Sequence, residues 1–298
     1  GLGQPQYRIA ALVEEAFPGV EYDQRTKIEV IEGLISQGVD AVSAVRPRDV
    51  MTIDEELVPL GGFSNKTTVG ENESGRRMIY LSDRYGFNNP DSEWDTKEVE
   101  WLLTGDSFSE GVAMQPGYDI AGQIRSITQQ SSISVGRSGN GPLIELAALT
   151  EYAGAVKPNK VLWIFYEGND LQEDFQRDKR NPLLMRYIEE GFSQNLIHRQ
   201  KEIDSMLEKY IFKVQAQQSK LYKTRWIRLF AIRNIIDFEN RVENKVEADF
   251  GLDDPLFVKI LTKAKSRVES WGGELYFVYL PEIERYLKKD IAHDKFHK

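Results

Sequence analysis

The stretch Val99-Glu-Trp-Leu-Leu-Thr-Gly-Asp-Ser-Phe108 decides how the chain is read. Trp101 to Leu103 is a short apolar run of the length and type of a buried strand, and it breaks at Gly105-Asp106. Ser107 comes just past the break. A serine delivered on a tight turn at the carboxyl end of a strand stands where open α/β sheets place reactive groups. The same residues allow a plainer role. Ser107-x-x-Glu110 also spells a capping box, in which the hydroxyl would do no more than close the first turn of a helix.

Two later stretches repeat the arrangement. Val135-Gly-Arg-Ser-Gly-Asn-Gly141 follows the strand-like Ser132-Ile-Ser-Val135, and Glu167-Gly-Asn-Asp170 follows the strongest strand signal, Val161-Leu-Trp-Ile-Phe-Tyr166. Successive strand ends therefore carry a Ser, a Gly and an Asn. In this the chain resembles the SGNH (GDSL-type) hydrolase superfamily, whose blocks supply those residues in that order. The resemblance covers roughly residues 95–170 and again the strand near 275. The first block has Phe108 where the family usually has Leu or another apolar residue, and the Gly-Asn-Asp triplet is intact.

The resemblance implies a flavodoxin-like, three-layer α/β/α fold with a mostly parallel sheet of about five strands. It implies a serine ester hydrolase that works through an acyl-serine. Ser107 would be the nucleophile. The Ser107 N–H, the Gly139 N–H and the Asn169 amide would form the oxyanion hole. No cofactor and no metal are implied. The substrate expectation, O-acyl (acetyl) esters of carbohydrate or lipid, rests on family analogy alone. The family's last block, Asp-x-x-His, is matched literally by Asp290-Ile-Ala-His293, but only about nine residues after Pro281, where the family has a helix and usually a further strand. Asp294-Lys-Phe-His297 matches as well. The expectation is that the dyad is Asp290 and His293 or lies beyond Lys298. The chain opens on Gly1 and stops in a charged segment, so both ends read as cut ends of a longer polypeptide.

Composition bounds the rest. With 298 residues, 41% apolar and 29% charged, the chain is globular and long enough for a sizeable core. A net charge of -9 argues against a nucleic-acid partner, which needs a basic face. Cysteine is absent, which excludes disulfides and thiolate metal sites. No apolar run reaches the roughly 18 residues of a membrane span and no signal peptide is visible, and the compartment stays unknown.

Residues 8–17 and 24–37 read as helices. Leu57–Leu60, Thr67–Val69 and Met78–Leu81 read as a small β layer, which gives an N-terminal elaboration over 1–94 and an α/β domain over 95–298. Helices are expected at Asp119–Thr128, from Pro142 to Leu149 and at Phe257–Val268, with a strand before Pro281. Residues 171–250 read as a helical insertion, with helices over 184–217 and 222–247. The second is amphipathic through Trp226, Leu229, Phe230, Ile232, Ile235, Ile236 and Phe238. It would pack on the sheet, act as a lid, or meet a membrane or protein partner. His198 reads as a solvated helix residue. Glu167, Asp170, Glu173 and Asp174 read as solvated or dipole-stabilising carboxylates rather than metal ligands. Two other functions stay open. One is a non-catalytic SGNH-like module that binds glycan or protein. The other is a nucleotide site at Gly136-x-x-Gly139-x-Gly141, whose glycine order is not the dinucleotide fingerprint.

Overall fold

The computed structural model describes residues 22–52, 54, 56–223 and 254–282. At the N-terminal end, Thr26 and Glu29 form a full capping box on α1 (Lys27–Ser36). Then come β1 (Ala41–Ser43), the single-turn α2 (Pro47–Val50), β2 (Thr67–Val69) and β3 (Ile79–Leu81). These strands make a small sheet in the order β1-β2-β3, with the first pair parallel and the second antiparallel. The segment Leu57–Leu60, expected as a strand, is instead a buried loop. Distant side chains satisfy the backbone of this loop and of the turn after it. Val58 N–H donates to Gln194 Oε1 at 2.8 Å, Ser64 N–H and hydroxyl donate to Asp204 at 3.0 and 2.6 Å, and Gln200 donates to Gly62 O at 3.0 Å. The expected helix over 8–17 lies outside the described residues.

The second sheet carries the motifs. β4 (Trp101–Gly105) leads through α3 (Ser107–Glu110) and α4 (Ile120–Thr128) to β5 (Ser132–Ser134). Then α5 (Pro142–Ala148) runs on through a π turn at Leu149–Ala153 to β6 (Lys160–Tyr166). The sheet closes with α9 (Pro255–Glu269) and β7 (Glu274–Leu280), after α6 (Phe175–Asp178), α7 (Pro182–Met185) and α8 (Gln200–Lys223). Its order is β5-β4-β6-β7 with every pair parallel. Among the described residues it has four strands rather than about five. Leu102, Val161, Trp163 and Phe165 face the main core with Leu143, Leu146, Phe257 and Ile260, whereas Leu103 and Ile164 pack under Ile120 and Ile124 of α4. Helices thus cover both faces, which is why the strands read as near-continuous apolar runs.

The insertion departs from expectation. The helix foreseen from 184 starts only at Gln200. Gly191 and Asn195 are left-handed (φ 72° and 59°), a conformation that ends helices. The buried Glu151 carboxylate draws this segment inward, accepting from Tyr187 Oη at 2.6 Å, Ser193 Oγ at 2.9 Å, Gln194 N at 2.5 Å and Leu196 N at 2.8 Å. His198 ends a short 3-10 turn and is exposed. Most of the expected 222–247 helix, with Trp226 and Phe230, lies outside the described residues. Among the described residues no helix is long and apolar enough to cross a membrane.

One buried side chain joins the two sheets. Arg137, in the loop after β5, is 0% exposed. It donates to Tyr80 Oη at 2.7 Å and to Val45 O at 2.6 Å, and it pairs with Glu110 at 3.0 Å. Removing one partner of a buried pair strands the other as an uncompensated charge. Arg137→Met is therefore expected to lose about 3–5 kcal/mol of unfolding free energy, measured by urea denaturation followed by tryptophan fluorescence.

Candidate functional site

β4 ends at Gly105 with φ +152°. A Cβ there would lie 2.3 Å from Ser109 Oγ and 2.5 Å from Ile164 O, so only glycine lets the chain turn so tightly against β6. Asp106 comes next and caps α3, its carboxylate accepting from Phe108 N at 3.0 Å. The cap is thus Asp106, not Ser107, and the expected Ser107–Glu110 capping box does not form. Glu110 turns inward instead, accepting from Ser138 N at 2.6 Å and pairing with Arg137. Ser107 is the first helical residue. It is half-buried, and its hydroxyl donates to Asp106 Oδ2 at 3.1 Å.

The loop after β5 is tied to this turn on both sides of Gly139. Ser138 N–H is held by Glu110, and Asn140 Nδ2 donates to Gly105 O at 3.3 Å. Gly139 has φ +75°, the left-handed region open to glycine at no steric cost. Its carbonyl accepts from Arg177 Nη2 at 2.7 Å. Asn169 follows β6 and donates from Nδ2 to Asp174 Oδ2 at 2.8 Å, while its side chain also stabilises the Asp106 carboxylate. Arg177 in turn pairs with Asp174 at 2.5 Å. One polar chain therefore runs Asn169, Asp174, Arg177, Gly139 and links the ends of β5 and β6, while Ser107 is tied to Asp106 at the end of β4.

Glu167, Asp170 and Asp174 are not solvated, contrary to expectation, and the side chain of Glu173 lies outside the described residues. Asp170 and Asp178 are fully buried, and Asp174 and Glu167 nearly so. Backbone and ring donors draw them in. Asp170 accepts from Tyr166 N at 2.7 Å, and Glu145, also fully buried, accepts from Trp163 Nε1 at 2.6 Å. Burial pushes Asp178 up to about 7 even though Arg177 opposes the rise. Burial, then the charges of Asp170, Asp106 and Asp178, push Glu145 well above the usual carboxylate range. Burial and Asp106 do the same to Asp170. Glu145 Oε1 and Asp170 Oδ1 are both buried without a hydrogen-bond acceptor or donor partner, which suits carboxyls that keep a proton. Among the described residues no group of three His, Cys, Asp or Glu side chains could hold a metal ion. Asp290 and His293 lie outside the described residues, as do Asp294 and His297. Sequence reasoning missed Asp106, Arg137, Asn140, Glu145 and Arg177. The only signal was an arginine and an asparagine inside a glycine-rich turn.

Two expectations follow. If Asp106 caps α3, Ser107→Ala changes unfolding free energy by less than about 0.5 kcal/mol, whereas Asp106→Ala costs about 1–2 kcal/mol. Thermal and urea unfolding of the two variants, side by side, measure this. The buried acids also set a pH dependence. Folded Asp178 holds its proton to about pH 7, while an unperturbed aspartate releases it near 3.8. Its stabilisation is complete below the lower value and lost as pH rises through the upper one. Glu145 and Asp170 act in the same direction. The urea midpoint is therefore expected to rise between pH 8 and pH 5, and Asp178→Asn to flatten that rise.

No family model, curated protein or solved structure matches the chain.

Proposed function

We propose that the protein is an SGNH-type serine ester hydrolase acting on O-acyl esters, with Ser107 as nucleophile and Gly139 and Asn169 as oxyanion donors. One observation carries this reading: Ser107, Gly139 and Asn169 follow the carboxyl ends of β4, β5 and β6, which are adjacent parallel strands. Residues that follow adjacent parallel strand ends share one edge of the sheet, where open α/β sheets place their sites. The parallel sheet with helices on both faces is compatible with the SGNH fold. The resemblance in three blocks supports the finer assignment, together with the carbohydrate or lipid ester substrates it implies.

In this mechanism Ser107 Oγ attacks the ester carbonyl, its proton passes to a base, and the alkoxide leaves with a proton from that base. Water then hydrolyses the acyl-serine by the reverse roles. Asn169 has to exchange its Asp174 acceptor for the oxyanion. The base this reading assigns is His293, oriented by Asp290. A second reading, a non-catalytic SGNH-like module binding glycan or protein, is favoured by one contact, since the Asp174 carboxylate already holds the Asn169 amide. Labelling with a fluorophosphonate separates the two. A live serine is labelled, with the adduct mapping to Ser107 by mass spectrometry and vanishing in Ser107→Ala. Absence of labelling would sink the hydrolase reading. Hydrolysis of an activated acetyl ester is expected to fall by at least about a thousandfold in Ser107→Ala. The same loss in His293→Ala assigns the base to His293.

A further inference from the structure

Arg48, from the single-turn α2, lies across the loop that carries Gly139. A Cβ on residue 139 would meet Arg48 Nη1 at 2.7 Å and Cζ at 2.9 Å, so the guanidinium occupies the space that glycine leaves open. It is only half-exposed. Yet it makes no hydrogen bond or ion pair with any described residue, although a guanidinium carries five donors. Its neighbours are already committed. Asp49 is taken by Arg46 at 3.1 Å. Asp174 is taken by Arg177 and by Asn169. Arg177 itself is spent on Asp174, Asp178 and the Gly139 carbonyl. Arg46 and Arg177 are the like charges facing Arg48, and Asp174 and Asp49 the opposite ones.

A partly desolvated guanidinium normally finds a carboxylate or phosphate, because its planar fork matches both. Here the nearest protein carboxylates are engaged and the donors lie beside a proposed oxyanion residue. We propose that Arg48 is a specificity-determining residue that binds an oxyanion on the substrate, so that the ester this site takes carries a carboxylate or a phosphate. The inference rests on the hydrolase reading for the word substrate, and not for the anion site itself. The surroundings give the site a reason. Asp174 and Asp49 are the acids that face it, in a chain of net charge -9. They would repel an anionic ester unless a cation stood at the entrance.

The test has a binding arm and a kinetic arm. In the first, wild type, Arg48→Met and Arg48→Lys are titrated calorimetrically with methyl phosphate and with acetate, at low and high salt. Wild type is expected to bind one of them at one site, more weakly at high salt. Arg48→Met is expected to lose roughly tenfold or more in affinity, and Arg48→Lys to keep part of it. The better of the two anions identifies the group. No binding by wild type, or equal binding by Arg48→Met, overturns the proposal. Circular dichroism checks that each variant folds, and Arg48→Gln replaces Arg48→Met if it does not.

In the second arm, kcat/KM is compared for matched activated esters that are neutral, carboxylate-bearing or phosphate-bearing. The ratio of anionic to neutral ester is expected to fall roughly tenfold or more in Arg48→Met. An unchanged ratio overturns the proposal. If neither ester is hydrolysed by wild type while anion binding still depends on Arg48, the anion site stands and the hydrolase reading falls.

Discussion

The ion pair between Arg137 and Glu110 is the constraint on which the rest depends. Both groups lie in the interior, at side-chain exposures of 1% and 5%, where the cost of removing charge from water is met only by complete pairing. The pairing is nearly complete. Glu110 also receives Ser138 N–H, and Arg137 also reaches Tyr80 and Val45. The turn after Ser107, the loop around Gly139 and the small N-terminal sheet are therefore fixed by a single polar cluster. Loosening any one of them exposes an unpaired charge, so the three hold together or separate together.

Around that anchor, Asp106 organises the site. It caps α3 and accepts the Ser107 hydroxyl, and the nearby Asn169 side chain favours its charged form, so a carboxylate rests beside the nucleophile and one of the donors a reaction would need. Such donors are oriented before any substrate arrives, which is the main requirement for stabilising charge that develops in a transition state. Asp106 also competes for them. An incoming oxyanion is then discriminated by how well it replaces a carboxylate oxygen, and a neutral carbonyl is a poorer replacement than a tetrahedral alkoxide.

Much of this was legible in the sequence. β4, β6 and β7 are apolar runs bounded by glycine or proline; β4 and β6 are buried on both faces, which requires such runs, whereas β7 is half-buried to exposed. Pro142 marked the start of α5 and Asp119 capped α4, because those positions have strong local preferences. The failures share a cause. Leu57–Leu60 looks like a strand, yet its backbone partner is Gln194, far along the chain. The 184–199 segment looks helical, yet Glu151 takes its N–H groups. Ser107-x-x-Glu110 looks like a capping box, yet Asp106 is the nearer cap and Arg137 the stronger partner for Glu110. In each case a buried polar side chain supplied from elsewhere outbid the local pattern. The carboxylates after β6 were misjudged for the same reason, since nothing local announces that an acid will be buried.

The long-range closure of the buried loop has a consequence for how the chain is made. Ser64 waits for Asp204, 140 residues later, and Val58 waits for Gln194. At the usual pace of synthesis, about 5–20 residues per second, the interval is on the order of ten seconds. Throughout it the apolar side chains Leu57, Val58, Leu60 and Phe63 have left the ribosome before their partners exist. Closing so long a loop adds little to the entropic cost of the folded state, but it delays the contacts that hide this segment. The nascent chain thus presents a sticky, unpaired stretch while those 140 residues are made, which makes residues 57–63 the natural site for a chaperone to hold.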